Sequence, residues 1–132
     1  MNIAASYSYQ EAENHDTREI LTNSPRHLGK LAVVVPLGRH ITLAARELYE
    51  SRRRTVYDTW TKPYFLTGVS AVLRPRSTGA AKPASLLSRM LLSLVVNNVF
   101  DVGYQTPGGP EHLQPAITQN GRNLLVKLRY DL

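Results

Sequence analysis

Asn120–Gly121 stands between two strand-like runs, and no other local signal ties the chain so tightly to one geometry. A two-residue turn with both residues at positive φ matches the twist of antiparallel strands, and Asn-Gly supplies it with least strain. The residues that follow alternate. Leu124, Val126, Leu128 and Tyr130 fall on one side, Leu125, Lys127, Arg129 and Asp131 on the other. The pattern predicts a C-terminal β-hairpin with one wet side, and therefore an antiparallel sheet.

Upstream the apolar period changes several times. "KLAVVV" (30–35) is a short β-branched run and reads as a buried strand. Pro36 can stop that strand and open a helix, because its fixed φ suits a first helical turn. Leu37, Ile41, Ala44, Ala45 and Leu48 then recur at helical spacing, predicting a first helix that runs to about Tyr57. "YFLTGVSAVL" (64–73) returns to period two and reads as a strand. Residues 74–85, "RPRSTGAAKPAS", carry loop chemistry throughout. Ser85 is a candidate N-cap for a second helix over 86–98, apolar nearly all round. "VFDVGY" (99–104) alternates again, as a strand would. The predicted fold class is α+β: two main helices packed on one face of a mainly antiparallel sheet, with the C-terminal β-hairpin. The predicted organisation is a polar acidic N-terminal arm (1–25) and a single domain (26–132). Within the arm "ASYSYQ" alternates and could also be a strand.

Charge is segregated along the chain. Residues 1–22 carry Glu11, Glu13, Asp16 and Glu19 against Arg18 alone, whereas residues 26–89 carry 12 Arg or Lys against Glu47, Glu50 and Asp58. The basic centre accounts for the net charge of +6. On the predicted first helix, Arg39, Arg46 and Arg53 are seven apart and would form a stripe, with about 10 Å between neighbours. Arg54, Tyr57 and Trp60 would flank it, and Arg74, Arg76 and Lys82 of the following loop would extend it. Arg52, one turn beyond Leu48, would sit at the rim of the core. Guanidinium forks beside aromatic rings suit phosphates and stacked bases. The expected binding residues are thus Arg39, Arg46, Arg53, Arg54, Tyr57, Trp60, Arg74, Arg76 and Lys82.

Catalytic and metal chemistry find little support. His15, His27, His40 and His112 have no histidine three or four residues away, and no phosphate-cradling or nucleophile motif is complete. With no cysteine, thiolate sites are excluded. No catalytic residue, metal or cofactor is assigned. The longest apolar stretch, 86–96, is shorter than the ~20 residues a membrane helix needs. The first residues lack the charged start and apolar run of a secretory signal. The expectation is a soluble, intracellular, non-enzymatic binding or structural protein that contacts nucleic acid, nucleocapsid-like, and forms a homo-oligomer. The alternative is a peripheral, matrix-like or adaptor protein on an anionic membrane or an acidic protein partner. A hydrolase or nuclease is the third.

Overall fold

The computed structural model describes residues 1–16, 18–74 and 90–130. These described residues form eight strands: β1 (Asn2–Tyr9), β2 (His27–Leu37), β3 (Ile41–Glu50), β4 (Tyr64–Leu73), β5 (Met90–Asn97), β6 (Gln105–Pro107), β7 (Ala116–Thr118) and β8 (Asn123–Tyr130). Six of them form one antiparallel sheet in the order β1-β2-β3-β4-β5-β8, and β6 pairs with β7 in a small second sheet.

The predicted α+β class is overturned, because no helix occurs among the described residues. The stretch expected as the first helix is instead β3 and the turns around it. Residues 38–40 close a tight connection between β2 and β3, with Leu37 paired to Ile41 and Gly38 at φ +66°. A side chain at that φ would be strained, so glycine makes the reversal easy. β3 is then paired along its whole length on both sides, from Leu37↔Ile41 to Leu28↔Glu50 and from Ile41↔Leu73 to Glu50↔Tyr64. Two complete ladders outweigh the helix propensity of "LAARELYE". Pro36 does not end β2. It lies beyond the reach of β1, whose register starts at Asn2↔Val34, so its missing N–H is tolerated.

The second expected helix is also corrected: residues 90–97 are β5, while 86–89 lie outside the described residues. The Asn120–Gly121 hairpin does not form either, since β7 pairs with β6 and β8 pairs with β5. The expected strand over 99–104 is instead a turn followed by irregular chain, with Asp101 at φ +56°. There the Asn98 side chain clasps Val102, accepting from its N–H at 2.8 Å and donating to its carbonyl at 2.9 Å. Asp101 accepts the backbone N–H of Arg122 at 2.6 Å, fixing the two ends of the connection together. Strands at 30–35 and 64–73 are present, and residues 2–9, which alternate in the sequence, form the edge strand β1.

The described residues form no apolar core of the usual kind between layers. Among the described residues the only buried apolar side chain is Tyr64. Residues facing each other across a ladder point to the same side of a sheet, so the register defines two faces.

Candidate functional site

One face is almost wholly apolar. β1 contributes Ile3, Ala5, Tyr7 and Tyr9, and β2 contributes Leu31, Val33, Val35 and Leu37. β3 adds Ile41, Leu43, Ala45, Glu47 and Tyr49, opposite Phe65, Thr67, Val69, Ala71 and Leu73 of β4. β5 gives Met90, Leu92, Leu94 and Val96, and β8 gives Leu124, Val126, Leu128 and Tyr130. Glu47 is the one charged side chain on this face among the described residues, and Thr67 Oγ1 donates to it at 2.6 Å. The face is open: Ile3 is 60% exposed, Leu43 40%, Val69 40% and Val126 57%. A hollow of 450 Å³ lies between Val33, Val35, Leu43, Val69, Leu94 and Val96 near its centre.

Four aromatic residues of this face gather at one end, and Tyr130 stands beside Met90 at the other. Tyr9 is level with His27 at the end of β1 and β2, while Tyr49 and Phe65 share one level of β3 and β4 with rings 4.6 Å apart. Tyr7 sits two residues inside Tyr9 and its Oη is 2.7 Å from His27 Nδ1. Between the two ends the face is aliphatic apart from the Glu47–Thr67 pair, which lies one level inside the belt.

The opposite face is mixed and more polar. At one level it carries Ala4, Ala32, Arg46, Gly68, Asn97 and Asn123 across six strands. Arg46 lies over Gly68 and donates to Asn97 Oδ1, and Asn97 donates in turn to Asn123 Oδ1 at 2.7 Å. Gly68 leaves room for this crossing, since a Cβ there would stand 2.7 Å from Arg46 Nε and the arginine would have to shift. A groove of 680 Å³ opens on this face, with Lys30, Arg46, Asn98, Tyr104, Gln119 and Asn123 among its walls. Towards the belt end, Tyr64 donates to Glu50 Oε2 at 2.9 Å and packs on Tyr104, ring centres 4.7 Å apart. Burial pushes the Tyr64 hydroxyl above its ordinary value near 10, partly opposed by Arg53.

The expected arginine stripe is not assembled, because it was a property of helical geometry. In an extended chain seven residues span about 23 Å. Arg39 lies exposed in the turn at one end, Arg46 on the polar face, and Arg53 beyond the other end of β3. Arg53 is ion-paired with Glu50 and donates to Asn23 Oδ1 at 2.9 Å. Arg54 holds Asp58 at 2.7 Å and donates to the Ile20 carbonyl at 2.9 Å, and the bond to Asp58 raises its pKa. Tyr57 donates to the His112 carbonyl at 2.7 Å. Trp60 lies under the Arg52 guanidinium, 4.7 Å from the ring centre. Arg74 is exposed at the far end of β4, tied by its backbone to His40, while Arg76 and Lys82 fall outside the described residues. The structure thus brings together Arg53 and Arg54 with the segment 51–60, and sets Arg39 and Arg74 at the opposite end.

Sequence reasoning missed the apolar face as a unit. Its signal was available in Ile41, Leu43, Ala45 and Tyr49, which alternate as well as they repeat at helical spacing. Among the described residues no group of three or more His, Asp or Glu could hold a metal, and no helix is long and apolar enough to cross a membrane. Comparison with protein-family models, curated proteins and solved structures finds no match for this chain.

Proposed function

We propose that the chain forms part of the wall of a transmembrane β-barrel, with its apolar face against lipid and its polar face lining the interior. The observation that carries this reading is the apolar face that runs across all six strands, aliphatic in its middle apart from Glu47 and Thr67, with four aromatic residues at one end and Tyr130 at the other. A water-exposed face of that composition would be a severe liability, and among the described residues no second layer covers it. Lipid removes the problem, and an antiparallel meander satisfies its backbone groups internally except at its edges.

Three further features agree. The six strands are 8 to 11 residues long, close to the 9–11 that span a bilayer when tilted. Tyr7, Tyr9, Tyr49 and Phe65 form a belt of the kind found at membrane interfaces. Alternation of apolar and polar residues is the sequence pattern of barrel strands, and it is weaker per segment than that of a membrane helix. Closure requires neighbours for β1 and β8, because known single-chain bacterial barrels have at least about eight strands. Under this reading the expectation of a soluble intracellular protein gives way to a membrane location. Nucleic-acid contact through Arg39, Arg52 and Arg74 is the competing reading, and it draws support only from their exposure.

The test is reconstitution with phosphatidylcholine vesicles. The chain should float with the vesicles after a carbonate wash, and Trp60 should be quenched most by lipids brominated near the headgroup. A chain that stays monomeric and folded in buffer without lipid or detergent, and ignores vesicles, overturns the reading. Salt-sensitive affinity for an oligonucleotide in that same state would favour the arginine surface instead.

A further inference from the structure

At the belt end of the sheet a small notch is lined by Ile20, Arg26, His27, Ser51, Arg52 and Trp60, with a volume of 240 Å³. Its position follows from the strands. His27 is the first residue of β2, opposite Tyr9, and its ring packs against Tyr9 at 5.2 Å and Tyr7 at 6.1 Å. The notch therefore opens at the outer edge of the aromatic belt, next to the apolar face. Ser51 Oγ accepts the His27 N–H at 3.0 Å and holds the two strand ends together.

The charges of this notch are unbalanced. Arg26 pairs with Glu11 at 2.9 Å, while its buried Nε has no hydrogen-bond partner among the described residues. Arg52 makes no ion pair among the described residues; its guanidinium rests on the Trp60 ring. No carboxylate lines the notch. Two guanidinia set against one carboxylate leave an excess of one positive charge, beside a tryptophan, at the depth where tyrosines mark the interface. Cations placed just outside an aromatic belt meet lipid headgroups, and the charge of those headgroups is carried by phosphate.

We propose that this notch binds the phosphate of an anionic lipid headgroup, with Arg52 and Arg26 supplying the charge and Trp60 holding the Arg52 fork in place. The inference rests on the barrel-wall reading and names a lipid partner for its rim. Arginine suits the role because its planar fork can meet two phosphate oxygens while its face stays on the indole.

Trp60 is the only tryptophan in the chain and stands in the notch, so it reports on occupancy. The full chain would be titrated with vesicles of phosphatidylcholine alone and with vesicles containing about one quarter phosphatidic acid. The expected result is flotation with both, tighter binding to the second, and a Trp60 emission change specific to it. Arg52→Ala should reduce the preference for the anionic vesicles about fivefold, and Arg52→Lys should keep most of it. Flotation with both kinds of vesicle and no preference between them overturns the headgroup site while leaving the barrel wall intact. Failure to float with either overturns both. An equal Trp60 response to inorganic phosphate without lipid would make the notch a free-anion site and overturn the lipid assignment.

Discussion

Single side chains set the local rules of both faces. Gly68 is buried in β4, and its lack of a Cβ lets Arg46 cross from β3 to Asn97 on β5. Gly68→Ala should lower stability by about 1 kcal/mol, and by less than half of that in an Arg46→Ala background. Denaturant midpoints of the four proteins form the cycle that checks it; equal costs in both backgrounds would show that the arginine is not what the glycine serves. Tyr64 gives a second test. Burial favours its neutral form, so its folded pKa lies above the ordinary value near 10. As pH rises past 10 the unfolded chain gives up this proton first, and stability present below that pH is lost through the folded pKa. Tyr64→Phe should remove this part of the alkaline loss, as measured by unfolding midpoints between neutral pH and pH 11. At this scale the sequence was informative about pairs and silent about which would form. Glu50 with Arg53 was legible as a spacing of three, and it is present, though at a strand end and the irregular chain after it rather than in a helix. Arg46 with Asn97 joins residues 51 apart and had no local signature.

The elements show where local pattern stops deciding. Residues 41–50 satisfy a helical and an alternating template at once, because Ala44, Ala45 and Leu48 can serve either. Partners on both sides resolve it in favour of β3. Residues 90–97 looked apolar all round, which suggested a buried helix. As β5 they place Met90, Leu92, Leu94 and Val96 on the apolar face, and Leu91 and Val95 on the other. β4 and β8 were legible as strands because their alternation had no helical competitor. β4 also supplies the sharpest test of which face meets lipid. Val69 lies on the apolar face at mid-depth, level with Val33, Ala45 and Val96, while the adjacent Ser70 lies on the polar face. In vesicles Val69→Lys should cost about 2–4 kcal/mol and Ser70→Lys less than about 1. Guanidinium unfolding of vesicle-bound protein measures both. Similar costs would remove lipid as the medium on the apolar side.

The six-stranded sheet has β1 and β8 at its edges, and these are where the proposed barrel wall would meet other strands. Hydrogen exchange in vesicles checks this. Amides of β3 and β4, paired on both sides, should be the slowest to exchange. The outward amides of β1 and β8 should match them only when neighbouring strands close the wall, and exchange orders of magnitude faster when they do not. The same scale explains the failure of the helix stripe. A set of arginines spaced by seven is a surface only if the backbone rises about 1.5 Å per residue; at about 3.3 Å it becomes three separate places. By itself the sequence determined the alternation of β4 and β8, the absence of thiol chemistry and of a membrane-length apolar run, and the concentration of positive charge in the middle of the chain. Only the tertiary structure decided that six strands align their apolar sides into one open face and that the arginines disperse around it. The reason is physical: side-chain periodicity is a local property, whereas a shared face depends on register between strands, which ladder hydrogen bonds between distant residues establish.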